Sequence, residues 1–417
     1  MAAVAPDLTA PLPPAPAPAD YPALFGNYVV RGAAALCGRL TTSPPRTADE
    51  FARLRDHALH LLTFALEQDA AWPAARDLLL ALAEPMEQAG ARSAWLTLMT
   101  RGVERSVALG DCAAEAELTL RCGHLLRLVS DFAAAQTWLA RSQRCFAAQD
   151  DRRGVARVRN QQAYLACLQH RDEAAVALAE TALALLAAED DERAMSYFVL
   201  GMVAINRWQW VEAEQHHRAT LAIRQRQHDR RRAAWAQQNI GYALQGQRRY
   251  AEAIACFEAA AAALADLDDQ ANRAIVLMNL ARTYHLDGQL DDALATGQAA
   301  RLALHAVGDR FHSAGHLLNL GLIHLARSEP RAALEACLDA VALYTALDDA
   351  PGRLNATSAV AMAHLALADY AAVVDVLTPA LDELVTLDNV PGKEALVRTM
   401  RDNLARAEMQ IDRGFGG

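Results

Sequence analysis

A small residue recurs every 40 positions, and no other feature restricts the possible folds of this chain so tightly. Gly123, Ala163, Gly201, Gly241, Ala281, Gly321 and Ala361 are spaced by 40, with one step of 38 between Ala163 and Gly201. Seven positions before each of the first six stands an alanine: Ala116, Ala156, Ala194, Ala234, Ala274 and Ala314. Twelve positions after each anchor comes Ala135, Ala175, Ala213, Ala253, Ala293, Ala333 or Val373. Nine after it stands a turn residue, often bulky: Phe132, Asp172, Trp210, Tyr250, Leu290, Pro330 or Tyr370. A fixed period of this length is the mark of stacked, identical supersecondary units.

The offsets read as a pair of antiparallel helices. Small residues at −7, 0 and +12 let two helices approach closely. A polar stretch such as Leu286 to Leu290 breaks the helix into a hairpin. Around Ala281 the spacing predicts helix A near 273–287 and helix B near 291–306. Each unit closes on an acidic or amide residue: Asp151, Asp191, Asp229, Asp269, Asp309, Asp349 and Asn389. Asp111 stands 40 before Asp151, so a weaker unit precedes the seven clear ones. An aspartate there ends one helix and caps the next. One helix pair cannot bury its own apolar face, whereas stacking makes the core continuous along one dimension.

Composition narrows the function classes. Hydrophobic residues make up 53% and aromatics only 6%, so much of the apolar content is Ala and Leu, strong helix formers. Lys393 is the sole lysine among 40 basic residues, a bias that suits a GC-rich coding sequence. The net charge of −10 disfavours nucleic acid as a partner. Seven cysteines (Cys37, Cys112, Cys122, Cys145, Cys167, Cys256 and Cys337), with no CxxC, point to free thiols in a reducing cytoplasm. No apolar run reaches membrane-spanning length. Residues 1–20 lack a basic leader and carry Pro6, Pro11, Pro13, Pro14, Pro16 and Pro18, so they read as a disordered or extended Pro/Ala tail.

The repeat resembles the tetratricopeptide repeat (TPR) family in its 40-residue form. Asn239-Ile240-Gly241, Asn279-Leu280-Ala281 and Asn319-Leu320-Gly321 are similar to the Asn-Leu-Gly/Ala signature of kinesin light chains and G-protein-signalling modulators. The alanine that this family carries early in helix B falls on the +12 positions. The resemblance implies an all-α, right-handed superhelical solenoid of antiparallel helix pairs. Four segments are expected: a 1–20 tail, a 21–112 helical region with a degenerate repeat, seven repeats over 113–392, and a capping helix with tail over 393–417. Phe51, Leu54, Ala58, Leu59, Leu62, Ala65 and Leu66 give residues 48–110 an amphipathic stripe. The stretch Phe51 to Gln68 resembles the region after the ATPase of bacterial signal-transduction ATPases and LuxR-like regulators. No GxxxxGK[ST] accompanies it.

Chemistry-bearing motifs are absent: there is no HExxH, GxSxG, GxGxxG or Cys/His zinc pattern. Catalytic, cofactor-binding and metal-binding residues are therefore expected to be none. His312 and His316 share a helix face at i,i+4 but lack a third ligand. His216 and His217 are adjacent and point apart. His324 and His364 stand three after an anchor, a packing position. The pairs Asp150/Asp151, Asp190/Asp191, Asp268/Asp269 and Asp348/Asp349 recur at four of the seven boundaries, as caps would. Arg218, Arg224, Arg226, Arg230, Arg231 and Arg232 form a basic run near Arg248 and Arg249, which is either a phosphate or acidic-partner site or a solvated helix face.

The resemblance also implies that helix A of each unit lines a concave groove, with positions −6, −3, +1 and +4 pointing inward. These read Met195, Phe198, Met202, Ile205; Trp235, Gln238, Tyr242, Gln245; Ile275, Met278, Arg282, His285; and Gly315, Leu318, Leu322, Leu325. Flexible methionines and rigid aromatics suit an amphipathic or extended peptide. Asn239, Asn279 and Asn319 sit at −2 and can pair with a peptide backbone, or bond between adjacent repeats. The ladder lapses at Val199 and Ala359. The expectation is a scaffold for a protein or peptide segment, with no membrane or nucleic acid, and with a partner chain, a second copy or the tail as groove occupant. The alternative is the sensor half of a bacterial signalling ATPase or transcription-regulator system that lacks its own ATPase.

Overall fold

The computed structural model describes residues 21–42, 48–88, 92–387, 390 and 392–414. The Pro/Ala tail and Asn389 lie outside the described residues. The described residues form helices joined by short turns and contain no strand. In order these are α1 (Tyr21–Thr42), α2 (Ala48–Ala65), a 3-10 turn at Asp69–Ala71, α3 (Trp72–Gln88), α4 (Arg92–Ala108), α5 (Cys112–Leu128), α6 (Phe132–Ala148), α7 (Arg152–Leu168) and α8 (Asp172–Leu185). They continue with α9 (Arg193–Asn206), α10 (Trp210–Arg226), α11 (Arg230–Gly246), α12 (Tyr250–Asp266), α13 (Gln270–Leu286) and α14 (Leu290–Val307). The last five are α15 (Arg310–Ala326), α16 (Pro330–Ala346), α17 (Ala350–Ala366), α18 (Tyr370–Thr386) and α19 (Lys393–Gly414).

One turn design joins most consecutive helices. Its first residue is left-handed: Ser130, Asp150, His170, Trp208, His228, Arg248, Asp268, Ser328, Asp348 and Ala368 have φ between 52° and 62°, and Gly110, Gly288 and Gly308 take the same place. The next residue's N–H reaches back five positions, as in Asp151 N to Phe146 O at 3.0 Å and Asp269 N to Leu264 O at 2.9 Å. This closes the preceding helix in a Schellman-type bond. That same residue is the N-cap of the following helix. Asp111, Asp151, Asp229, Asp269, Asp309 and Asp349 each accept the backbone N–H three residues on. The boundary aspartate pairs thus divide their work: Asp150, Asp268 and Asp348 turn the chain, and Asp151, Asp269 and Asp349 cap. B helices are less consistently capped, with Asp131 and Asp369 bonding and Arg171, Gln209, Arg249, Gln289 and Glu329 not.

The chain divides after Glu192 into two compact units, at the place where the repeat steps by 38. In the first unit, α1 packs on α2 and α3, and α3 to α8 follow as antiparallel neighbours. Its core holds Trp95, Leu62, Leu78, Leu79, Leu82, Met86 and Met99, all fully enclosed. Arg157 on α7 grips Glu117 on α5 with two bonds of 2.7 and 2.8 Å, linking equivalent positions of successive A helices. α8 is only 14 residues long, and Asp190 beyond it pairs with Arg153 at 2.9 Å and accepts the Glu192 N–H at 2.9 Å.

In the second unit, α9 to α18 form five A/B pairs and α19 closes the stack against α17 and α18. The anchors meet a fixed partner 16 positions later on helix B. An added Cβ would stand 3.0 Å from Phe257 at Gly241, and the Cys337 sulfur occupies that space at Gly321. Where the anchor is Ala281, the partner is Gly297, whose own Cβ would sit 3.8 Å from that of Ala281. The anchor's size is thus set by one side chain across the pair.

Candidate functional site

The A helices of the second unit bury or half-bury nearly their whole circumference. Along α11 only Arg230 and Arg232 are exposed. On α12, by contrast, Ala251, Glu252, Ala255, Glu258, Ala259 and Ala262 face solvent. The A helices thus leave a row of apolar side chains partly open.

Met195, Phe198 and Met202 on α9, Trp235, Gln238, Asn239 and Tyr242 on α11, Met278 and Asn279 on α13 and Asn319 on α15 are all half-buried. Trp235, Tyr242 and Met278 pack against one core cluster that contains Ile240, Phe257 and Leu277. Phe198 sets its ring edge on His217, 5.9 Å between centroids. Arg282 is exposed and forms no ion pair with a described residue. Leu318 is turned further inward, 8% exposed beside Cys337, Ala356 and Val360.

Two polar features stand out in this row. The side-chain amides of Asn239, Asn279 and Asn319 bond no other described residue. The Trp235 indole N–H is buried without an acceptor, which costs about 1–3 kcal/mol while it stays unmet. The residues at the lapses of the ladder, Val199 and Ala359, are buried. Between α11 and α13, Gln245 Nε2 donates to Thr283 Oγ1 at 2.7 Å, and Thr283 Oγ1 donates to the Asn279 carbonyl at 2.7 Å. This chain of bonds fixes the two A helices relative to each other.

At one end of the row lies an aromatic group that sequence reasoning did not assemble. Trp208, 77% exposed at a left-handed turn, meets Trp210 at 5.8 Å, and Trp210 meets Tyr242 at 6.1 Å. The Trp210 ring fills the space that a Cβ on Gly246 would need. The available signal was the Trp-x-Trp spacing opposite a glycine one repeat later.

The other candidates resolve into structural roles. Arg218 and Arg249 converge on the buried Glu214 at 2.7 and 2.9 Å, with Gln247 Nε2 adding a bond of 2.6 Å. Arg230 pairs with Asp266 at 2.8 Å, Arg231 with Asp269 at 3.1 Å and Arg232 with Asp229 at 2.9 Å. Much of the basic run is thus neutralised within the fold. His312 Nδ1 bonds Asp309 at 2.6 Å, whereas His316 Nε2 bonds the Gly297 carbonyl at 2.7 Å, so the two rings do not converge. His324 bonds Glu329 at 2.7 Å, and His364 faces Asp369 at 3.3 Å. His216 stacks on Tyr197, while its neighbour His217 is fully buried with neither ring nitrogen bonded. Burial drives the His217 pKa down to about 3. Among the described residues no three His, Cys, Asp or Glu side chains are placed to hold a metal ion. No helix among them is long and apolar enough to cross a membrane.

The tetratricopeptide repeat family model matches residues 233–301, the centre of this row. No curated protein sequence matches the chain. Solved structures share the fold at low identity. A Signal Transduction ATPase with Numerous Domains (STAND) protein with a tetratricopeptide repeat sensor, from Pyrococcus horikoshii, is 11% identical with a TM-score of 0.59, over 94% of this chain and 69% of that one. A Rap protein complexed with competence and sporulation factor is 13% identical with a TM-score of 0.52, over 82% and 99%. NprR in complex with its cognate peptide NprX is 13% identical with a TM-score of 0.50, over 72% and 84%.

Proposed function

We propose that this stack of helix pairs, tetratricopeptide-like in fold, is a binding scaffold whose A-helix row in the second unit takes an extended peptide segment of a partner protein. The observation that carries the proposal is the unpartnered amide ladder Asn239, Asn279 and Asn319 beside Trp235, Tyr242 and Met278. Contacting helices lie roughly 8–10 Å apart, and an extended chain rises about 3.3 Å per residue. Each asparagine then meets the peptide once in about three residues. The amides pair with backbone groups, and the side chains between them settle among the methionines and aromatics. Rap and NprR, similar in fold, are complexed with a factor and with a peptide.

Binding without chemistry is the reading we infer. Among the named row residues only Arg282 is charged, and it forms no ion pair with a described residue. Free cysteines throughout fit a reducing cytoplasm, which we take as the working compartment. A second reading, a sensor that reports to a separately encoded ATPase, draws on the fold shared with the STAND protein over 94% of this chain.

A display library of short linear peptides, panned against the full chain, tests the row. Wild-type protein should enrich sequences with spaced apolar residues, and the Asn239→Ala/Asn279→Ala/Asn319→Ala variant should not. Equal enrichment by both would remove the row from consideration. Nucleotide hydrolysis by a co-purified ATPase that changes on peptide addition would favour the sensor reading.

A further inference from the structure

A separate cavity lies on the other side of the same stack. It is bounded by the C-terminal turns of α14, the first two turns of α15 and Leu343 of α16, and its volume is about 670 Å³. Pockets for small molecules commonly span about 300–1,000 Å³. On α15, the residues that reach it are Arg310, Ser313, His316 and Leu317. At about 100° of rotation per residue these point roughly opposite to Leu322 of the peptide row. The two sites therefore occupy different faces of one helix.

The walls are leucines: Leu302, Leu304, Leu317 and Leu343. Leu302 remains 68% exposed at the mouth, an apolar side chain that the fold itself does not cover. Arg301 and Arg310 also line the cavity, and neither forms an ion pair with a described residue. This contrasts with the basic run on α10 and α11, where Arg218, Arg230, Arg231 and Arg232 all have acidic partners. Asp309, the acidic residue of the lining, already caps His312 N and bonds His312 Nδ1. At the base, His316 is fully buried. Its Nε2–H donates to Gly297 O, a tautomer assigned from that bond, and Nδ1 is left without a partner.

We propose that this cavity binds an amphipathic monocarboxylate with an unbranched apolar tail. The tail lies along Leu302, Leu317 and Leu343, over the enclosed Leu304, and the carboxylate sits between Arg301 and Arg310. Charge complementarity selects the carboxylate, because the lining sets two guanidiniums without an ion pair against the one carboxylate of Asp309, which leaves the apolar hollow a net positive rim. The apolar wall selects the tail, since exposed leucine surface gains by cover.

Isothermal titration of the full chain with decanoate, decylamine and acetate tests this. Decanoate should bind with one equivalent per chain, and decylamine and acetate should give no saturable heat. The exposed pair Arg301→Gln/Arg310→Gln should weaken decanoate roughly tenfold or more. Ser313→Trp, which fills the cavity, should abolish binding with an unchanged circular dichroism spectrum. The asparagine-ladder variant should bind decanoate as the wild type does, so the cavity and the peptide row fail independently. Decylamine binding as tightly as decanoate, no decanoate heat, or decanoate binding insensitive to both cavity changes would each overturn the proposal.

Discussion

Gly201 faces the imidazole of His217 so closely that a Cβ at position 201 would stand 2.6 Å from Nε2. His217 is at once a packing residue, matched in size to a glycine, and a titratable group held where neither nitrogen has a partner.

That double role gives a pH prediction. The folded pKa is about 3 because burial opposes the charged form, with His216 adding repulsion, whereas an unfolded histidine titrates near 6.5. Above that pH both states are neutral and His217 contributes no slope. As pH falls from about 6.5 towards 3, the unfolded chain gains a proton that the fold refuses. Stability then declines by at most about 1.4 kcal/mol per pH unit. His217→Phe copies the Phe257 that faces Gly241, and it should flatten the decline. Urea midpoints at pH 7 and pH 5 for both proteins check this. Parallel slopes would mean that the ring finds a partner on protonation.

The same geometry predicts non-additivity at the next repeat. Gly241→Ala should cost about 1–3 kcal/mol by overpacking against Phe257, and Phe257→Ala about 3–5 kcal/mol by leaving a cavity. In the double variant the overpacking penalty should disappear, because the added methyl enters space that the ring vacated. A double-mutant cycle in denaturant reads the coupling, and a coupling near zero would place the two residues apart.

Capping should separate A from B helices. Asp151→Ala removes the acceptor for Gly154 N, a bond of 2.8 Å, and should lower stability by about 1 kcal/mol. Gln289 makes no such bond at its helix, so Gln289→Ala should stay within about 0.5 kcal/mol of wild type. Thermal melts of the two variants side by side make the comparison.

Trp235→Phe isolates the orphan indole N–H. The free chain should be as stable as wild type, or more stable by up to about 1 kcal/mol, since an unmet buried donor is removed while the ring packing stays. Peptide affinity should change little, because the enclosed N–H does not reach the row while the open part of the ring is kept. A loss of stability would mean that the N–H has an acceptor in the folded chain.

Much of this architecture was legible from spacing alone. The phase of the small residues predicted helix A near 273–287 and helix B near 291–306, and the structure has α13 at Gln270–Leu286 and α14 at Leu290–Val307. The capping aspartates were legible because their chemistry repeats with the period. The left-handed residues were not. Trp208, Arg248 and Ala368 share a backbone conformation but no side-chain property, so only the position marks them. α1 stayed inside an undivided helical region, although Val29, Ala33, Leu36 and Leu40 form its buried stripe. The pairing of each anchor with the residue 16 further on, and the neutralisation of Arg230 by Asp266, both depend on the hairpin bringing distant positions together. At the site, the phase singled out the methionine and aromatic row as candidates, whereas the cavity beside His316 could not be read from it, because it is made by three helices at once.

The turns have a bearing on how such a chain changes length. Every regular junction in the second unit presents the same backbone bond and hands over at the same phase. Excising 229–268 would join His228 to Asp269, a left-handed residue followed by a capping aspartate, as at the junctions it replaces. A whole helix pair can thus be lost or duplicated in one recombination event without a new turn having to be invented. The loss of a single helix would instead set A and B faces against the wrong neighbours.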